Sequence, residues 1–95
     1  MYTTLAEVEI GDLGQFLSVF ATDGRMKREA HGSLGAEVLS AVDGAARVIV
    51  LIDWRSEEAY RDFLADPSVP PTMVRGGAKG RPRFTPVTRA GRFAA

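Results

Sequence analysis

The chain has 95 residues, 45% of them hydrophobic, enough for one compact domain over residues 1–95 and no second. A chain of this size buries roughly 60–70% of the surface its unfolded form exposes, so the core is thin and pairing with a second copy would help cover a sheet face. Net charge is zero and there is no cysteine, which excludes a disulfide framework and thiolate chemistry, and no window approaches the ~18 continuous apolar residues of a membrane span.

The opening Met-Tyr-Thr-Thr-Leu-Ala-Glu lacks the basic start and long apolar run of a signal peptide, so a cytoplasmic location is expected. Tyr2–Ile10 alternates, with Tyr2, Thr4, Ala6, Val8 and Ile10 on one face of a half-buried strand. Asp12 and Gln15 form a possible capping box. Leu13, Phe16, Leu17 and Phe20 then trace an amphipathic stripe, which predicts one helix weakened in its middle by Gly24. Lys27, Arg28 and His31 suit the negative end of its dipole, and Gly32 is placed to terminate it.

Leu34–Val42 reads as the second strand, and Asp43-Gly44 as a hairpin turn. Arg47–Asp53 follows with Val48 to Ile52 unbroken, which marks a central strand covered on both faces. Ser56 is a natural N-cap for a helix Glu57–Ala65, with Ala59, Phe63 and Leu64 expected to face inward. Pro67, Pro70 and Pro71 break the chain, and Pro71 begins a short helix through Arg75. Gly76–Gly80 reads as a flexible loop and Pro82–Thr88 as a last strand, kept at the sheet edge by Pro86.

With right-handed crossovers, this order gives a ferredoxin-like βαββαβ fold of the α+β class, a four-stranded antiparallel sheet with helices on one face. All twelve acids lie within residues 1–66, and only bases follow: Arg75, Lys79, Arg81, Arg83, Arg89 and Arg92. The last strand pairs beside the first, so Glu7 and Glu9 would neighbour Arg81, Arg83 or Arg89. Cross-strand pairing then explains the asymmetry without an anionic partner.

At Asp53-Trp54-Arg55-Ser56-Glu57-Glu58-Ala59-Tyr60, at Phe63-Leu64-Ala65-Asp66-Pro67 and at Met73 before a Gly-rich loop, the chain resembles the dimeric α/β-barrel superfamily. The likeness is to its small antibiotic-biosynthesis-monooxygenase-type domains. The resemblance implies a homodimer with two sheets packed face to face, and a pocket in each subunit between sheet and helices. The superfamily's activities include cofactor-free oxidation of phenolic or quinol-like polyketides, haem breakdown, lactone isomerisation and aldol-type cyclisation, so fold alone does not give function. The haem-degrading branch is set aside. Phe63 stands where its Trp would be and Met73 where its His ligand would be, and the chain contains no Asn.

His31 is the only histidine, hence the natural general base for a phenol or acidic carbon; its structural reading is a helix-end residue facing water. Asp53, at the exit of the central strand beside Ile49 and Leu51, is a second candidate base if apolar neighbours raise its pKa. Trp54, Tyr60, Phe63 and Met73 are candidate substrate-binding residues, although each also fits a core role, with Tyr60 half-exposed. Gly76–Gly80 with Lys79 and Arg81 lacks P-loop spacing. The aliphatic third strand lacks the exposed aromatics of an RNA-recognition motif, so no nucleic-acid partner is expected. One histidine and no cysteine leave no metal site. What the resemblance implies, taken with these residues, is a small bacterial enzyme of polyketide or aromatic secondary metabolism, needing no cofactor, that oxidises a phenolic substrate in an apolar pocket. A cyclase or isomerase on the same substrates, and a non-catalytic dimeric binding domain, are the alternatives.

Overall fold

The computed structural model describes residues 1–43 and 46–95. Strands β1 (Tyr2–Ile10), β2 (Ser33–Ser40), β3 (Arg47–Trp54) and β4 (Ala78–Val87) alternate with helices α1 (Leu13–Ala21), α2 (Asp23–Ala30), α3 (Glu57–Ala65) and α4 (Val69–Arg75). The sheet order is β2-β3-β1-β4, antiparallel throughout. This is the expected ferredoxin-like sheet, with the first and third strands central and the Pro86 strand at an edge.

Register decides which side chains share a face. Tyr2 pairs with Trp54, Thr4 with Ile52, Ala6 with Val50 and Val8 with Val48. Alternation sends these residues to the side covered by the helices. There they form the core with Phe16, Tyr60, Phe63 and Val69. The opposite face carries Thr3, Leu5 and Glu7 on β1, opposite Asp53, Leu51 and Ile49 on β3. The expected Glu7–Arg83 neighbourhood is present, with 3.9 Å between the charged atoms, and Glu9 stands opposite Lys79.

The helices start where their caps allow. Gln15 N–H donates to Asp12 Oδ2 at 2.7 Å, and Ala59 N–H to Ser56 Oγ at 3.1 Å. The capping box is only half made, because Gln15 Nε2 donates instead to the Arg75 carbonyl. Gly32 ends α2 at φ 79°, a left-handed value favouring glycine, and its N–H reaches the Glu29 carbonyl.

Four local expectations are corrected. The single helix before Gly32 is two helices, broken at Thr22 rather than Gly24. Thr22 Oγ1 bonds back to the Ser18 carbonyl at 2.8 Å, a side-chain bond that competes with the helical ladder. Leu17 and Leu64 are 42% and 47% exposed, because the helices turn Phe16, Tyr60 and Phe63 to the sheet instead. Part of the Gly76–Gly80 segment is strand: Gly77 (φ 83°) makes the turn from α4 and β4 begins at Ala78. Tyr60 is buried, ringed by Tyr2, Trp54 and Phe84. The Asp43-Gly44 turn lies partly outside the described residues. No helix among the described residues is long and apolar enough to cross a membrane.

Candidate functional site

A cavity of about 80 Å³ lies between the helix-covered face of the sheet and the helices. Ala6, Val8, Val50 and Ile52 form its floor, Phe16 and Phe20 one wall, and Phe63, Met73 and Phe84 others. It exists because β1 places the small Ala6 opposite Val50 at the centre of the sheet, leaving room that flanking rings do not fill. Its roof is α2, through Gly24, Lys27 and Arg28. Helix α2 buries no residue of its own. Ligand pockets for drug-sized molecules run to roughly 300–1,000 Å³. A single aromatic ring suits the cavity as it stands; a larger ligand requires its wall to move, and α2 is the weakest-anchored part.

Arg28 is the one arginine that is not exposed. Its guanidinium carbon stands 3.7 Å from the centroid of the Phe20 ring, a cation–π contact, and Nη1 donates to the Phe20 carbonyl at 3.0 Å. Burial pushes its pKa down to about 10, so it remains charged at neutral pH.

The candidate bases are on different sides of the sheet. His31 caps α2, and its Nε2 lies 2.8 Å from Asp66 Oδ2 at the end of α3. Asp66 also accepts from the Ser68 N–H and Ser68 Oγ at 2.8 and 2.7 Å through its other oxygen. These donors, His31 first, hold the Asp66 carboxyl well below the usual carboxylate range. An ionised carboxylate only accepts, so the imidazole proton belongs on Nε2, leaving Nδ1 as the basic nitrogen. The imidazole meets Phe63 in a T-shaped contact at 6.1 Å between centroids. It therefore stands one ring behind the cavity wall.

Asp53 is on the opposite face. It accepts from Thr3 Oγ1 at 2.7 Å and from Arg89 Nη1 at 3.0 Å. Arg89 first, then Thr3, holds its carboxyl below its ordinary value, opposite to the raised pKa expected from apolar neighbours. The sequence reading missed the arginine because it lies 36 residues away along the chain.

Phe63 and Met73 line the cavity, as anticipated. Trp54 and Tyr60 lie behind it. Trp54 is wholly buried, 4.8 Å from the Phe63 ring centroid, with Nε1 donating to Thr4 Oγ1 at 3.0 Å. Burial pushes the Tyr60 phenol pKa up. Two residues with functional potential were missed. Asp66 was read only as a helix end, since its pairing with His31 spans 35 residues. Arg28 was read only as a dipole-compensating charge. No cluster of metal-ligating side chains is found among the described residues.

Among solved structures, the chain is similar to SnoaB, a cofactor-independent oxygenase from Streptomyces nogalater. The two share 20% identity and a TM-score of 0.75, over 99% of this chain and 97% of that one. It is also similar to the monooxygenase from the gene ActVA-Orf6 of Streptomyces coelicolor, solved with nanaomycin D, at 20% identity and TM-score 0.68, over 99% and 91% of the two chains. A dimeric ferredoxin-like protein from an uncultured marine organism gives 8% identity and TM-score 0.62 over the whole of both chains. At these identities the likeness shows the fold. No curated protein matches the chain. Residues 1–69 match the family described as antibiotic biosynthesis monooxygenase, and the chain belongs to that family.

Proposed function

We propose that the protein is a cofactor-independent monooxygenase that oxidises a phenolic, polyketide-like substrate in the cavity beneath α2. The observation that carries this reading is the cavity itself. It is an apolar chamber walled by phenylalanines and Met73, between sheet and helices, in a chain of this family. Dioxygen reacts with an electron-rich phenolate without a metal if the anion is formed and water is kept away. Conversion of a phenol to a quinone consumes one O2 and releases one water, so atoms and electrons balance without a reductant. In this reading His31, oriented by Asp66, takes the phenol proton on Nδ1 when the Phe63 ring turns aside. Phe63 and Met73 touch the substrate, and Trp54 packs behind the Phe63 ring.

The test is oxygen uptake with a panel of phenols, naphthols and anthrones. Stoichiometric O2 consumption with quinone formation is expected. Product that forms equally well without oxygen would instead establish a cyclase or isomerase. A second reading, a dimeric binding domain without chemistry, draws on the separation of His31 from Asp53 and the pairing of each with a neighbour. Tight binding of an aromatic without turnover would establish it.

The same proposal includes a homodimer. Leu5, Leu39, Ile49, Leu51 and Val87 share the sheet face away from the helices, and Leu39 is 50% exposed. An uncovered apolar sheet face suits a second copy of the chain. Leu51→Arg puts a charge at the centre of that face, with Glu37 directly across to balance it in the free subunit. We expect association weakened at least tenfold, about 1.4 kcal/mol, by sedimentation, with the fold retained by circular dichroism. A wild-type monomer, or a variant that associates as well as wild type, removes this face as the interface.

A further inference from the structure

We infer that α2 is a hinged strap over the cavity, lifting as a unit at Thr22 and Gly32 to admit a ligand and latched at each end, by a charged pair, to the two ends of α4. The inference deepens the proposed function and rests on its assignment of the cavity as the ligand site.

A helix is held on a domain mainly through the apolar face it buries, and α2 has almost none. None of its eight residues is buried. Those over the cavity are Gly24, Lys27 and Arg28, a glycine and two charged side chains that contribute only their stems. Met26, its one large apolar residue, is 70% exposed. The other helices differ: Phe16 of α1, Tyr60 and Phe63 of α3, and Val69 of α4 are buried. Lifting α2 uncovers little apolar surface, whereas lifting any of its neighbours breaks the core.

Non-helical backbone flanks α2 on both sides. Thr22 leaves the helical region, with φ −116° and ψ −93°, and its hydroxyl bonds back to the Ser18 carbonyl instead of capping α2. At the other end Gly32 takes its left-handed φ of 79° just before β2. Its carbonyl accepts from the Arg55 N–H at 2.9 Å, which anchors the far side of that turn beside the end of β3. Hinges are a few such residues at element ends, where a change of dihedral angle is absorbed.

What holds α2 down is polar. Asp23, its first residue, meets Arg75, the last residue of α4, at 3.0 Å. His31, which caps it, meets Asp66 at 2.8 Å. Asp66 in turn accepts from the Ser68 and Val69 N–H groups where α4 begins. The two latches therefore run to opposite ends of one short helix. Arg28 Nη1, on the Phe20 carbonyl at 3.0 Å, spans the Thr22 hinge itself. Both partners of the Asp23–Arg75 latch are more than half exposed, and a pair of that kind shifts an equilibrium by about fivefold at most. Such a strap closes an apolar chamber and still opens far more often than the domain unfolds.

Native-state hydrogen exchange tests the strap without a ligand. Arg75→Gln, a change on α4, is expected to speed exchange of the α2 amides together, by about two- to fivefold, while those of α1 and α3 keep their wild-type rates. In an Asp23→Asn background the same change should add nothing, because the pair is already gone. Entry is followed with 4-nitroanisole, an uncharged single ring that absorbs where indole emits. The only tryptophan, Trp54, lies 4.8 Å from the Phe63 ring centroid and reports binding by quenching. Arg75→Gln is expected to raise the association and dissociation rates by the same factor and leave Kd unchanged, since the strap closes alike over the empty and the filled chamber. Exchange of α2 that keeps step with α1 and α3, or that ignores Arg75→Gln, overturns the inference. A probe whose rates ignore Arg75→Gln overturns it too, by showing an entrance that bypasses α2. Failure of wild type to bind 4-nitroanisole removes the aromatic site of the proposed function instead, and leaves the strap to the exchange result.

Discussion

Trp54→Ala is expected to lower the unfolding free energy by about 3–5 kcal/mol, read from urea denaturation. Small domains hold roughly 5–15 kcal/mol in total, so the variant should be close to unfolding at room temperature. The size of the effect follows from position. Trp54 ends the central strand, is wholly buried and touches both Tyr60 and Phe63, so it joins α3 to the sheet. Its removal leaves a void beneath two rings that are themselves buried and cannot readily collapse into it. It also leaves Thr4, equally buried, without its indole donor.

Two companion variants separate packing from hydrogen bonding. Thr4→Val keeps the shape but strands the indole N–H, at a cost of about 1–3 kcal/mol. Trp54→Phe loses the same bond and part of the ring, so it should fall between Thr4→Val and Trp54→Ala. A Trp54→Ala loss below about 0.5 kcal/mol, the size of a routine surface change, would place Trp54 outside the core. Phe63 would then be free to move without it.

The sequence carried the fold through patterns that are local. Alternation in Tyr2–Ile10 and the unbroken Val48–Ile52 run identified the two central strands, because each face of a strand reports its own environment. Ser56 and Asp12 announced helix starts for the same reason, since an N-cap acts within three residues. The Thr22 break was not legible. It depends on a side-chain bond winning narrowly over a backbone one, and threonine occurs in many unbroken helices. The inward face of α3 was displaced by one residue, from Ala59 to Tyr60, because helical periodicity leaves neighbouring stripes nearly equivalent. Only the aromatic cluster under Trp54 chooses between them.

The candidate site was legible in part. Phe63 and Met73 could be placed near a pocket because they fall on the family pattern. The pairings that set the chemistry could not be, since they join residues distant along the chain: His31 with Asp66, Asp53 with Arg89. Asp53 was a candidate base on paper. In the fold Arg89 and Thr3 hold its carboxyl below its ordinary value, and on the proposed reading proton acceptance falls to the imidazole.

On the proposed reading, His31→Gln should lower kcat for phenol oxidation by about 10²–10⁴, with a smaller change in KM. The introduced amide keeps a hydrogen-bonding group near Asp66 but has no titratable nitrogen. Asp66→Asn should cause an intermediate loss, because its carboxamide oxygen and nitrogen can each pair with Nε2, and pairing through the nitrogen favours the tautomer whose free nitrogen faces away from the substrate. Asp53→Asn, across the sheet, should leave kcat within a few-fold of wild type. Stability against pH provides a readout independent of turnover. Asp66 has a folded pKa below its ordinary 3.8, so the unfolded chain takes up its proton first as the solution is acidified. Its contribution is fully present above the ordinary value and is lost as pH falls through the depressed one. Asp66→Asn should therefore flatten the acid limb of the stability curve while changing little in the shape above about pH 5. An acid limb as steep as wild type would mean that the His31–Asp66 contact does not exist in solution. Full activity in His31→Gln would remove the imidazole from the chemistry.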